Sequence, residues 1–111
     1  MKIIALNVLS EQSNYAVVHM PGREFPGSVI QGDSLSILCA EAKAISSRLK
    51  ELTCADEELL ALAQEHQEKL LGRLLHYQSV LAEHHAPLPY SKAAESGDLV
   101  VFIEEGDSNA L

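Results

Sequence analysis

The segment from Leu35 to Leu52 contains neither glycine nor proline, and Leu38, Ala42, Ile45, Leu49 and Leu52 recur in it at spacings of four and three. That period matches the turn of an α-helix, so these five side chains share one face and require something to bury it. Asp33 or Ser34 can cap the exposed N–H groups at its start. Thr53-Cys54-Ala55-Asp56 interrupts the pattern, with Thr53 three residues ahead of Asp56 as a weak capping box. Glu57 and Glu58 then sit where the first turn of a second helix favours negative charge. This helix runs to Glu83 or His85 on a seam of Leu60, Ala63, Gln67, Leu70, Leu74, Tyr77 and Leu81, which Leu59, Leu71 and Leu75 widen. Gly72 weakens the pattern by about 1 kcal/mol relative to alanine, and Pro87-Leu88-Pro89 stops it. The short break between the helices predicts an antiparallel hairpin over 33–86.

The flanks read as strands. Residues 2–9 and 15–20 are short apolar runs joined by the polar stretch Ser10 to Asn14, which predicts an antiparallel pair. Pro21-Gly22 and Pro26-Gly27 mark turns, and Ser28 to Gln31 forms a brief third strand. Beyond the helices, Leu99 to Ile103 is apolar on both faces and reads as a central strand, followed by an acidic tail over 104–111. The order β-β-β-α-α-β defines an α+β domain, a small and mostly antiparallel sheet with the two-helix hairpin packed on one face. At 111 residues the chain forms a single domain, 1–111, with strands in 1–32.

Charge is distributed unevenly. The net charge is −8, yet residues 1–32 and 33–55 are each balanced, while 56–83 and 84–111 carry −4 apiece. Such a surface repels nucleic-acid phosphates and anionic lipid and attracts a basic partner, which excludes direct nucleic-acid binding. The longest apolar runs, Leu59 to Ala63 and Leu99 to Ile103, fall far below the roughly 20 residues of a membrane span, and no signal peptide opens the chain. The expectation is a soluble, cytoplasmic protein with no membrane association. Two cysteines, Cys39 and Cys54, make no disulfide framework and read as reduced structural thiols.

The sequence presents no catalytic motif. His66, His76, His84 and His85 do not form the i, i+4 pair of a helical zinc site, so no metal and no cofactor is expected. No Gly-x-Ser-x-Gly elbow is present, neither cysteine has a neighbouring histidine, and Gly22, Gly27 and Gly32 precede no Lys-Ser/Thr. The acids Asp56, Glu57, Glu58, Glu65 and Glu68 read as a solvated helix face rather than as hydrolytic pairs. The chain is therefore not expected to be an enzyme.

The segment Asn14 to Leu35 contains Asn-Tyr-Ala-Val, Pro-Gly-Arg-Glu-Phe-Pro-Gly and Gln-Gly-Asp-Ser-Leu in succession. This pattern resembles a family of short bacterial proteins that carries no assigned chemistry. Small acidic proteins of this kind are similar in size and character to immunity proteins encoded beside bacterial polymorphic toxins. The resemblance implies a non-catalytic binding protein that neutralises a cognate toxin by covering a basic active site. The acidic half supplies the expected contacts, namely Asp56, Glu57, Glu58, Glu65, Asp98, Glu104, Glu105 and Asp107, with Tyr77 or Tyr90 as an aromatic anchor. The alternative is a self-associating regulatory or scaffold domain, a homodimer whose hairpins pair across a two-fold axis. A small antitoxin hydrolase using Asp56 and Glu58, or His76 with a carboxylate, ranks below both.

Overall fold

A computed structural model describes residues 1–52 and 56–102. The chain forms three short strands, β1 (Asn7–Ser10), β2 (Val17–His19) and β3 (Gly27–Ser28), then two long helices, α1 (Gly32–Glu51) and α2 (Glu57–Glu83), and a 3-10 turn at Ser96–Asp98. The α+β class and the order β-β-β-α-α stand as expected.

Local chemistry shapes the sheet. Asn14 adopts φ 68°, which an asparagine tolerates, and the Tyr15 N–H donates to the Gln12 carbonyl to turn β1 into β2. β1 and β2 pair antiparallel with Val8 opposite Val18, and a bulge between Val8 and Ser10 sets Ser10 against Val17. Pro21-Gly22 turns the chain again, with Gly22 at φ 81° and the Arg23 N–H donating to the Met20 carbonyl. Proline followed by a glycine of positive φ is the residue pattern of a type II turn. β3 returns antiparallel to β2, pairing Val18 with Gly27. The strands are shorter than the apolar runs that announced them, and the third lies at Gly27–Ser28 rather than at Ser28 to Gln31.

Asp56, read from the sequence as the third residue of a capping box begun at Thr53, is itself the N-cap of α2, accepting from the Leu59 N–H at 2.7 Å, and Glu57 and Glu58 occupy its first turn. The helix ends at His85, φ 55°, where the Ala86 N–H reaches the Leu81 carbonyl and the His85 N–H reaches that of Ala82. This is a Schellman closure with histidine in place of the usual glycine. α1 begins two residues earlier than Asp33 as cap would place it: Gln31 is its N-cap without a side-chain bond, and the Asp33 carboxylate accepts from the Ser34 N–H. The reason lies across the interface. The Tyr77 ring rests against Gly32 and leaves no room for a Cβ, so this glycine is needed for close packing and not for an unusual φ.

α1 and α2 pack on each other along their lengths, and the core is their seam. The α2 side is as expected except that Leu59 is exposed: Gln67 and Leu74 are buried, and Leu60, Ala63, Leu70, Leu71, Leu75, Tyr77 and Leu81 are half-buried. On α1 the expectation holds for Ala42 and Leu49 and fails for the other three. Leu35, Ala42 and Ser46 are buried with Cys39 and Leu49 beside them, whereas Leu38, Ile45 and Leu52 are exposed. Small residues at Gly32, Ala42 and Ser46 let the helices approach closely, which rotates the bulkier stripe away from the contact.

Two further expectations are corrected. The sheet does not stack on the hairpin: its contact with the helices is at most marginal, and Val8, Leu9, Tyr15 and Phe25 stay exposed. The run from Leu99 is not a strand over its described residues, since Leu99 to Phe102 joins no ladder and lies along α2 instead. Ile103, the tail over 104–111 and the Thr53-Cys54-Ala55 turn lie outside the described residues. Among those described, no helix is long and apolar enough to cross a membrane.

Candidate partner-binding surfaces

The helical repeat collects four carboxylates on α2. Glu57, Glu58, Glu65 and Glu68 fall within a sector of about 100°, and all four are exposed. Lys69 pairs with Glu65 at 3.4 Å across one turn, and the Gln64 amide donates to Glu68 at 3.3 Å. Such an exposed i, i+4 pair is worth only about 0.3–0.5 kcal/mol, so it does not neutralise the face. Asp56 is exposed just ahead of it, its carboxylate engaged as the helix cap.

The other candidate contacts are placed elsewhere. Tyr77 stands about 31 Å along the helix from Asp56 and is half-buried against Gly32. Tyr90 is half-buried and donates its hydroxyl to Gln78 Oε1 at 2.8 Å; burial first, then the nearby Tyr77 and Cys39, raises its pKa. Asp98 accepts from the Glu95 N–H at 2.9 Å and from Lys43 Nζ at 3.1 Å, and these two bonds, in that order, hold its carboxyl below the ordinary value. Tyr77, Tyr90 and Asp98 are thus committed to internal packing rather than grouped with the acidic face. Glu104, Glu105 and Asp107 lie outside the described residues.

The sequence reading missed a row of glutamines on α2. Gln67 Oε1 accepts from the Val100 N–H at 2.9 Å while its Nε2 donates to the Val100 carbonyl at 3.0 Å. Gln78 grips Ala94 in the same way, accepting from its N–H at 2.8 Å and donating to its carbonyl at 3.0 Å. Gln64 accepts from the Phe102 N–H at 3.3 Å. A primary amide presents one acceptor and one donor side by side, as a neighbouring strand would. These side chains therefore satisfy an extended backbone that has no strand to pair with. The only signal in the sequence was a glutamine inside an otherwise apolar seam.

Beneath this segment lies a cavity of about 190 Å³ lined by Cys39, Lys43, Gln67, Leu71, Leu74 and Asp98 among others. Small-molecule sites usually run from about 300 to 1,000 Å³, so this space is small for a cofactor. Burial raises the Cys39 pKa, which keeps the thiol protonated and unactivated. No group of three or more His, Cys, Asp or Glu among the described residues could hold a metal ion.

The profile of a family of unknown function, DUF6959, matches residues 1–90 of the chain. No curated protein and no solved structure matches it.

Proposed function

We propose that this chain, which belongs to the DUF6959 family, is a non-catalytic protein-binding module that docks a basic partner. More specifically, we read it as an immunity protein that acts in the bacterial cytoplasm by covering the active-site cleft of a cognate toxin. The observation that carries this reading is the shared exposed face of Glu57, Glu58, Glu65 and Glu68 on α2. Together these carboxylates attract a cationic partner and steer encounter, raising on-rates by 10- to 1,000-fold at low salt. A rigid helix presents the carboxylates in fixed register, which suits occlusion of a cleft and calls for no chemistry by the chain itself. Residues 1–90, which the family profile covers, include this whole face.

The test pairs the chain with the product of its neighbouring gene. Glu58→Lys, Glu65→Lys and Glu68→Lys together leave the seam untouched, because all three residues are exposed. The expected result is association at least tenfold slower, a flatter salt dependence, and loss of protection when both proteins are expressed in one cell. Equal rates and equal survival would overturn the reading and reduce the face to a solubility surface.

A further inference from the structure

The helical hairpin has two flanks, and only one is covered. Residues 90–102 lie over the side that carries Cys39, Ala40 and Lys43. The helical repeat places Leu38, Ile45 and Leu52 on the opposite flank of α1, where they are 41%, 60% and 56% exposed. Their seven-residue spacing keeps them on one face over about 21 Å, with Glu41 and Arg48 at the intervening positions.

We infer that this flank is the interface of a symmetric homodimer in which α1 packs antiparallel on α1 of a second copy. Two observations point to a second copy rather than to some other protein. The first is self-complementarity. A two-fold axis through Ile45 sets Ile45 on its own counterpart and Leu38 on Leu52 of the second copy, since both leucines are seven residues from the centre. The second is charge. Glu41 and Arg48 border the same stripe, and the same axis brings Glu41 of one copy beside Arg48 of the other. Residues 33–55 are balanced overall, so two chains of net charge −8 meet on the one helix that carries no excess. This inference is independent of the acidic face, which lies on the other helix and stays open in the dimer.

Sedimentation equilibrium of the full chain at about 100 μM is expected to give about 24 kDa, twice the 12.1 kDa of one chain. Ile45→Glu puts two carboxylates on the axis and is expected to raise the dissociation constant at least tenfold while circular dichroism keeps the helix content, since Ile45 is exposed in the monomer. Glu41→Arg is expected to weaken the dimer, and Arg48→Glu added to it to restore it, which a merely greasy contact would not do. A monomeric parent, a dimer indifferent to Ile45→Glu, or failure of the second charge change to rescue the first would overturn the inference. The two proposals fail separately: Ile45→Glu is expected to leave partner association unchanged, and the three lysines on α2 to leave the dimer unchanged.

Discussion

Replacing Gln67 by methionine tests whether side-chain amides hold the C-terminal segment. Gln67 is 4% exposed and spends both amide atoms on Val100, at 2.9 and 3.0 Å. Methionine has similar length and fills irregular space, so the substitution removes the amide with little change in packing. Two net hydrogen bonds are worth about 1–3 kcal/mol. Val100 is half-buried, so water regains part of its N–H and carbonyl, and apolar burial of the thioether offsets a little more. The expected loss is about 1–2 kcal/mol, a factor of about 5–30 in a local opening equilibrium. Amide hydrogen exchange reads it directly: the Val100 N–H should exchange about 5–30 times faster, while the amides of α1 and the middle of α2 keep their protection. Gln78→Met serves as the control, since it should speed Ala94 and leave Val100 alone. Unchanged exchange at Val100 would refute the reasoning and mean that other contacts hold the segment in place.

Leu74 is 2% exposed in the helix seam, and Leu74→Ala is expected to cost about 2–5 kcal/mol in urea denaturation; a loss under about 1 kcal/mol would contradict the observed burial. Gly32→Ala pushes a methyl into the Tyr77 ring and is expected to cost about 1–3 kcal/mol. Most of that penalty should vanish in a Tyr77→Ala background, a non-additivity that a double-mutant cycle measures. The Asp98 carboxyl lies below its ordinary value of 3.8 because the Glu95 N–H and then Lys43 favour its ionised form. A folded pKa below the unfolded one adds stability above the ordinary value and loses it as pH falls through the depressed one. Denaturation midpoints of the parent should therefore fall more steeply below pH 3.8 than those of Asp98→Asn, and parallel curves would show that the bond network contributes nothing.

Features governed by neighbouring residues could be read from the sequence. The Pro21-Gly22 turn and the stop before Pro87 each depend on a few adjacent side chains, and each appears where those side chains place it. The α2 seam was readable because a single apolar stripe competes for its burial. The run from Leu99 misled because apolar composition records a need for burial and an extended backbone, while the partner of that backbone is set by distant residues. Here the partners are Gln64 and Gln67 on a helix and not a strand. The tyrosines misled for a related reason: an aromatic ring in an acidic segment serves equally as an anchor for a partner or as a plug, and Gly32 makes Tyr77 the plug.

α1 is the instructive failure. It carries two stripes, Leu35-Cys39-Ala42-Ser46-Leu49 and Leu38-Ile45-Leu52, and the face read from the sequence joined Ala42 and Leu49 of the first to all of the second. Burial within the chain falls on the stripe with small residues, because close approach of two helices gains contacts along the whole seam. The bulkier stripe is left 41–60% exposed in the single chain. The exposed parts of an isoleucine and two leucines represent about 0.6–1.8 kcal/mol of further burial each when something covers them. The residues misassigned to the core of one chain are those offered to a core shared by two. Ile45→Glu separates these cases: it should leave the melting temperature of a dilute sample where it was and abolish its rise with protein concentration. A loss of stability independent of concentration would return Ile45 to the interior of a single chain.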